Sequence, residues 1–329
     1  MKISNYLDSI KKGYVLWVIT LICTGNILAQ STASSENTNE SSSDTRFVGV
    51  DYRVIIPETI SSEYYNLDGF NIMSTEFNID LSYPWFLDKK PENSILLGKL
   101  SYTKVATSHE IAELELSRIK AEVPVYLYDI PDFHKIGLSF FLNQNFRNNW
   151  DLTAGYDIVF LSDFNNQVDK SNFNSTALIY LQKGLGKFSI GGGGVFYIIN
   201  NELAFLPLIS FGYTNDKFDI QLNPPLSLDV NYHLNMKSTL SINANLIIEG
   251  FKLDDTNSLS SSIIQPNYID YSGFDYSIGY DRKFYETLHY KISVGAVTSE
   301  LTYLDNITTI DNLTIPSGLL LKLSLYTTF

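Results

Sequence analysis

The residues best suited to catalysis are few and scattered. His109, His134, His233 and His289 stand in four separate stretches, and none belongs to an H-x-x-x-H or H-E-x-x-H pattern that would turn two imidazoles toward one metal ion. The one cysteine is Cys23, near the N-terminus, and there is no G-x-S-x-G nucleophile elbow. Gly191 to Gly194 is an unbroken glycine run, but it lies inside an alternating stretch and opens no helix. It reads as bending or close packing of a sheet rather than a phosphate cradle. No cofactor and no metal site is expected. An enzyme built on this chain would need His233 or His289 to activate a serine within hydrogen-bond reach, and an outer-membrane lipid hydrolase is the form such chemistry would take.

The carboxylates carry more information as a set. Asp51, Glu76, Asp80, Asp151, Asp157, Asp219, Asp229, Glu249, Asp275 and Asp281 fall on the polar sides of alternating segments. Arg53, Lys99, Lys135, Lys291 and Lys322 share those sides, as do His233 and His289. If the polar sides line a closed barrel, charges of both signs can pair and fill it. Alternatively they leave a passage, in which the surplus of carboxylates gives a weak preference for cations.

The elements that must position these residues are strands. Leu319, Leu321, Leu323, Leu325, Thr327 and Phe329 fall on one side of an extended chain, and Leu320, Lys322, Ser324, Tyr326 and Thr328 on the other. The same period of two runs through Val48–Val54, Phe77–Tyr83, Leu96–Tyr102, Ile136–Leu142, Trp150–Phe160, Phe218–Leu222, Leu226–Tyr232, Leu240–Ile248 and Leu288–Ala296. Counted back from the C-terminus, alternate connections are short, at 284–287, 234–238, 215–217, 185–187 and 147–149, with 84–93 a long exception and 200–202 and the Pro224-Pro225 break short ones of the other set. The others tend to be long, notably 162–173, 254–267 and 304–317. Short turns at one end and long loops at the other are the habit of outer-membrane barrels. The count predicts a single antiparallel up-and-down transmembrane β-barrel of about fourteen strands. If Pro224-Pro225 bends one strand instead of separating two, twelve is the alternative. Residues 106–132 carry charges and are expected to form a long loop excursion.

Residues 1–29 read as a signal peptide, with Lys11 and Lys12 before an apolar run from Tyr14 to Cys23 too short to span a bilayer. Ala29 marks a cleavage point close by. Ile22 is larger than a lipoprotein site before Cys23 usually tolerates. Residues 30–45 are a polar leader with little to bury, and 46–329 form the barrel domain. Lys2, Lys11 and Lys12 against Asp8 make the signal doubly positive, so the remainder carries about −15 rather than the −13 of the whole chain. That argues against nucleic acid as a partner.

A secreted β-sandwich would show the same alternation, with its apolar faces meeting each other. Segments of about 10–14 residues exceed the ~5–6 of soluble strands, and aromatics cluster at segment ends: Trp150, Phe188 and Phe218 toward one side, Phe160, Phe251 and Tyr303 toward the other. Both features favour lipid outside the apolar faces.

The run from Leu206 to Lys217 (LPLISFGYTNDK), followed by Leu222-Asn223-Pro224 and Val230-Asn231-Tyr232, resembles an uncharacterised family of Gram-negative outer-membrane β-barrels, a domain of unknown function. The resemblance implies a barrel over residues 46–329 in the cell outer membrane. It brings no activity and no catalytic residue. Its expected partners are outer-membrane lipid and the barrel-assembly machinery, which would meet the last strand ending at Phe329. The leading functional expectation is a passive channel or small-solute transporter. The alternatives are a non-conducting surface scaffold and the lipid hydrolase.

Overall fold

The computed structural model describes residues 46–57, 61–62, 71–86, 94–110, 132–162, 172–199, 202–252, 268–305 and 308–328. The signal and leader segments lie outside them. Fifteen strands are formed: β1 (Arg46–Pro57), β2 (Ser61–Ser62), β3 (Asn71–Phe86), β4 (Ser94–Glu110), β5 (Phe133–Phe146), β6 (Trp150–Ser162), β7 (Phe173–Leu185), β8 (Phe188–Ile199), β9 (Glu202–Thr214), β10 (Phe218–Asn223), β11 (Ser227–Asn235), β12 (Ser238–Lys252), β13 (Tyr268–Lys283), β14 (Leu288–Asp305) and β15 (Thr308–Thr328). The two-residue β2 only extends the sheet along β15. The other fourteen pair antiparallel in chain order, and β1 pairs with β15 to close the ring.

Alternation decides which side faces out. Leu319, Leu321 and Leu323 are exposed, whereas Leu320 and Ser324 between them are buried. On β3, Phe77, Leu81 and Tyr83 are exposed and Asp80 and Ser82 are buried. The large apolar side chains therefore form the outer surface and the polar ones turn inward, the reverse of a soluble sandwich.

Aromatics gather at both rims. At the short-turn end, Tyr83 packs on Trp85 at 5.2 Å between ring centroids, Phe188 on Tyr213 at 5.0 Å and Phe218 on Tyr232 at 4.9 Å. Toward the other end, Phe160 packs on Phe173 at 5.3 Å and Phe196 on Phe205 at 4.8 Å. From Trp150 to Phe160 a tilted strand climbs about 25 Å, the height of the apolar band of an outer-membrane barrel. Among the described residues no helix is long and apolar enough to cross a membrane; the crossing is made by strands.

Three expectations need correction or refinement. The Pro224-Pro225 pair separates β10 from β11, so the count is fourteen and the twelve-strand alternative falls. Proline has no N–H for the ladder, and Leu226 N instead closes the turn on Asn223 O at 2.7 Å. Residues 304–317 are not a loop. β14 and β15 continue as a paired hairpin to Asp305 and Thr308, with register shifts near Val297 and Tyr303 that absorb the irregular pattern. The charged stretch after residue 106 begins as strand, since β4 runs to Glu110 against β3; residues 111–131 lie outside the described part, as do 163–171 and 253–267.

The short turns follow their local chemistry. Asn148 and Asn149 both adopt positive φ (65° and 58°), which asparagine tolerates and a tight hairpin requires. The glycine run has a packing role: a Cβ on Gly193 would collide with Ile179 O and with the backbone of Tyr180 on β7. Gly295 has the same relation to Tyr276 O and Ser277 on β13. Both sit on the inner face where the wall curves sharply.

Two outcomes follow. Leu323→Arg places a cation on the lipid-facing wall and should cost about 2–4 kcal/mol if it lies near the bilayer centre, read as a lower unfolding midpoint in lipid vesicles; Leu323→Ile should leave the midpoint unchanged. Gly193→Ala should destabilise by about 1–3 kcal/mol through backbone displacement, measured in the same assay.

Candidate functional site

The inner wall is the only continuous polar surface that the described strands enclose, and its side chains are held by the pleat. The tiers are best followed from the short-turn end. At the mouth, β13, β14 and β15 bring Asp281, His289 and Tyr326 together. His289 Nδ1 lies 3.2 Å from Asp281 Oδ1, and the Tyr326 hydroxyl donates to Asp281 Oδ2. The imidazole stacks on Tyr326 at 5.0 Å, and its Nε2 lies 3.4 Å from Thr328 Oγ1. His233 meets Thr239 Oγ1 at 3.2 Å. The two histidines thus each have a threonine hydroxyl among their partners. His134 pairs instead with the Tyr102 hydroxyl at 2.8 Å. The side chain of His109 is outside the described part.

The next tier holds Arg46. Strict alternation from Val48 would send it outward, but the register shifts between Arg46 and Val48, and this irregularity turns it into the lumen. Its guanidinium lies 3.2 Å from Asp51 and 3.9 Å from Asp80, and over the Tyr326 ring at 4.5 Å. Asn78 donates to both carboxylates, at 3.2 and 3.4 Å. Higher up, Arg53 reaches Glu76 on the adjacent β3 at 3.3 Å, and Asp275 on β13 at 3.4 Å. Asp275 also accepts from Asn245 at 2.9 Å. On the neighbouring wall Asp229 accepts from Asn243 at 2.6 Å, and Lys291 Nζ donates to Asn243 Oδ1 at 3.4 Å. Asp219 accepts from Thr214 at 3.1 Å.

The remaining residues face the lumen elsewhere. Lys322 lines the same cavity as Asp219 and Lys291. Asp157 accepts from Ser139 across β5 and β6, with Lys99 beside them. Lys135 and Asp151 occupy inward positions of those two strands, opposite Thr103 and Asn145. Glu249 is in β12 opposite Tyr271, and its side chain is outside the described part. Among the described residues no group of three or more His, Cys, Asp and Glu is arranged to hold a metal ion.

Two cavities follow from this arrangement. One, of about 570 Å³, opens at the short-turn mouth past Lys217, Lys237 and Lys283. The other, of about 560 Å³, lies behind it between β10 and β1. His233, Thr239, Asp281 and His289 line both, so the two adjoin at these residues.

The lumen is not a wide tube. A round ring of fourteen strands would be roughly 28 Å across, and β6 and β12 stand six neighbours apart in it. Their Cα atoms nevertheless come within 8 Å of each other, so the wall is folded in and the bore is pinched between them.

Periodicity did not single out Arg46, which depends on a bulge, or the apolar residues that also face inward. Phe141, Val159, Leu161, Val195 and Leu208 point into the barrel. Their signal was present, since Ile158 to Leu161 and Leu206 to Ile209 break the apolar–polar alternation as runs apolar or proline throughout, as strands covered on both faces do.

A closed, even-stranded ring with an apolar exterior, aromatic rims and short turns at one end defines a transmembrane β-barrel of the Gram-negative outer-membrane type. No family model and no curated protein matches the sequence. Among solved structures, an outer membrane channel from Pseudomonas putida F1 is similar at 12% identity, covering 90% of this chain and 100% of its own, with a TM-score of 0.47. The P. putida toluene transporter TodX is similar at 8% identity, covering 88% and 91%, with a TM-score of 0.38. Outer membrane phospholipase A from Escherichia coli is similar at 11% identity, covering 89% and 95%, with a TM-score of 0.34. At these identities and scores the likeness carries no activity across.

Arg53→Met would leave Glu76 and Asp275 without their shared guanidinium. The loss of two charge-assisted bonds should destabilise the barrel by about 2–3 kcal/mol, measured as a lowered thermal midpoint against a control at the fully exposed Met236, Met236→Ala, that stays within about 0.5 kcal/mol.

Proposed function

We propose that the protein is a passive channel for small solutes across the outer membrane, with a weak preference for cations. The carrying observation is the pair of polar cavities that adjoin at His233, Thr239, Asp281 and His289, inside a wall whose inward acids Asp51, Glu76, Asp80, Asp151, Asp157, Asp219, Asp229, Asp275 and Asp281 outnumber Arg46, Arg53, Lys99, Lys135, Lys283, Lys291 and Lys322. Rings of carboxylates in a confined bore lower the energy of a cation relative to an anion. The close approach of β6 and β12 supports a small conductance, well below that of a wide porin. The reading assigns no catalytic step to His233 or His289. It also takes β15, with the Phe329 that follows it in the sequence, as the segment that the assembly machinery meets, and Ala29 as the neighbourhood of signal cleavage.

Reconstitution into planar bilayers tests it. Discrete conductance steps are expected, with a potassium over chloride permeability ratio above one. Asp229→Asn combined with Asp281→Asn should bring that ratio toward one with the steps retained. Folded, heat-modifiable protein that gives no steps would defeat the proposal and favour a non-conducting scaffold.

A further inference from the structure

The lumen has a second, chemically different compartment. Phe141 on β5, Val159 on β6, Leu178 on β7 and Val195 on β8 face a cavity of about 440 Å³, and Leu226 reaches it from the Pro224-Pro225 turn. Its polar side chains include Ser139 and Asp157, which bond each other, with Lys99, Ser101, Thr176 and Tyr197 around them. Most of its lining surface is nonetheless apolar, so a mostly apolar molecule gains by leaving water for it, while the polar side chains can meet one polar group. The volume lies within the ~300–1,000 Å³ of ligand pockets and exceeds the voids of ordinary packing.

The wall beside this compartment is low. β10 has 6 residues and pairs with β9 only from Phe211 to Thr214. β11 meets β12 only as far as Asn245. Past the turn, Ile209 N reaches Pro224 O at 3.5 Å and Leu246 N reaches Leu226 O at 2.8 Å. Beyond those two bonds, neither Glu202–Leu208 of β9 nor Ile247–Lys252 of β12 has a strand on its facing edge among the described residues. Val195 and Tyr197, which line the cavity, pair with Leu206 and Ala204 of that open edge. Leu203 and Phe205 on the same edge point outward at membrane height, exposed by 71% and 56%. Among the described residues the ladder is therefore interrupted there, at a height where the neighbouring strands are still paired.

We propose that this compartment is a binding site for a small, mostly apolar molecule carrying one hydroxyl-like group. The aliphatic side chains and Phe141 hold its body, Asp157 and Lys99 meet its polar group, and the low wall sets the site beside the bilayer, where such molecules concentrate. The site does not depend on ion conduction, so its failure and that of the channel are read separately.

The probe is 1-naphthol, two fused rings with one hydroxyl, titrated by its fluorescence into the purified, folded full-length mature protein in detergent. Saturable binding is expected. Val195→Phe and Leu226→Trp, which fill the cavity from the wall and from the turn, should each weaken it at least tenfold, while outward-facing Ile292→Ala should leave it unchanged. Heat-modifiable gel mobility checks that each variant is folded, and Val195→Ala, which enlarges the space, should retain binding if Val195→Phe does not fold. No saturable binding to the wild type, or equal binding by folded Leu226→Trp, would overturn the assignment.

Discussion

Every peptide group in hydrocarbon must find its partner within the protein, and this requirement governs the rest of the structure. A sheet satisfies it only by closing on itself, so the pairing of β1 with β15 is the contact on which the other thirteen ladders depend. Closure also determines what each face can be. Once the ring exists, one side of each strand meets lipid and the other meets fourteen strands' worth of polar groups brought into a small space.

That confinement explains the character of the interior. Carboxylates facing a common lumen would repel one another, and they are held by cations and amides borrowed from strands distant in sequence. Arg53 joins β1 to β13, Arg46 serves two carboxylates at once, and Asn243 stands between Asp229 and Lys291. The pairing is incomplete in charge, since over the described inner wall the inward-facing acids exceed the bases, although around the two cavities they do not. A polar lining that keeps a net negative character is compatible with a wet passage, whereas a fully neutralised one would read as a plug.

The wall itself is uneven, and its unevenness divides the interior. Glycines at positions such as Gly193 and Gly295 let neighbouring strands approach where a Cβ would obstruct them, and the ring folds until β6 and β12 nearly meet. Two prolines limit β10, which leaves the adjoining hairpin shorter than its neighbours and delivers Leu226 to the inner surface. One compartment is lined mainly by charged and amide side chains; in the other the aliphatic and aromatic surface predominates around Asp157 and Lys99. A single sheet thereby presents two solvents within one bore.

Much of the architecture was legible in the residue order. A period of two survives any tertiary arrangement, because the pleat alone alternates side chains, so the inner carboxylates and the outer leucines could be assigned before closure was known. Connection lengths and the proline pair likewise gave fourteen strands, since a proline cannot continue a ladder. Where a strand ended was less legible: residues 304–317 carry the turn-prone Asp305-Asn306 and Pro316, yet most of them are paired strand, because a neighbour already in register extends a hairpin that local propensity would stop. The direction of Arg46, the partner of Arg53, the inward turn of Val159 and Leu161 and the approach of β6 to β12 depended on the tertiary structure. Each depends on a bulge, a distant strand or the curvature of the whole ring. One strand's sequence specifies its own two faces; only the closed sheet specifies what stands opposite them.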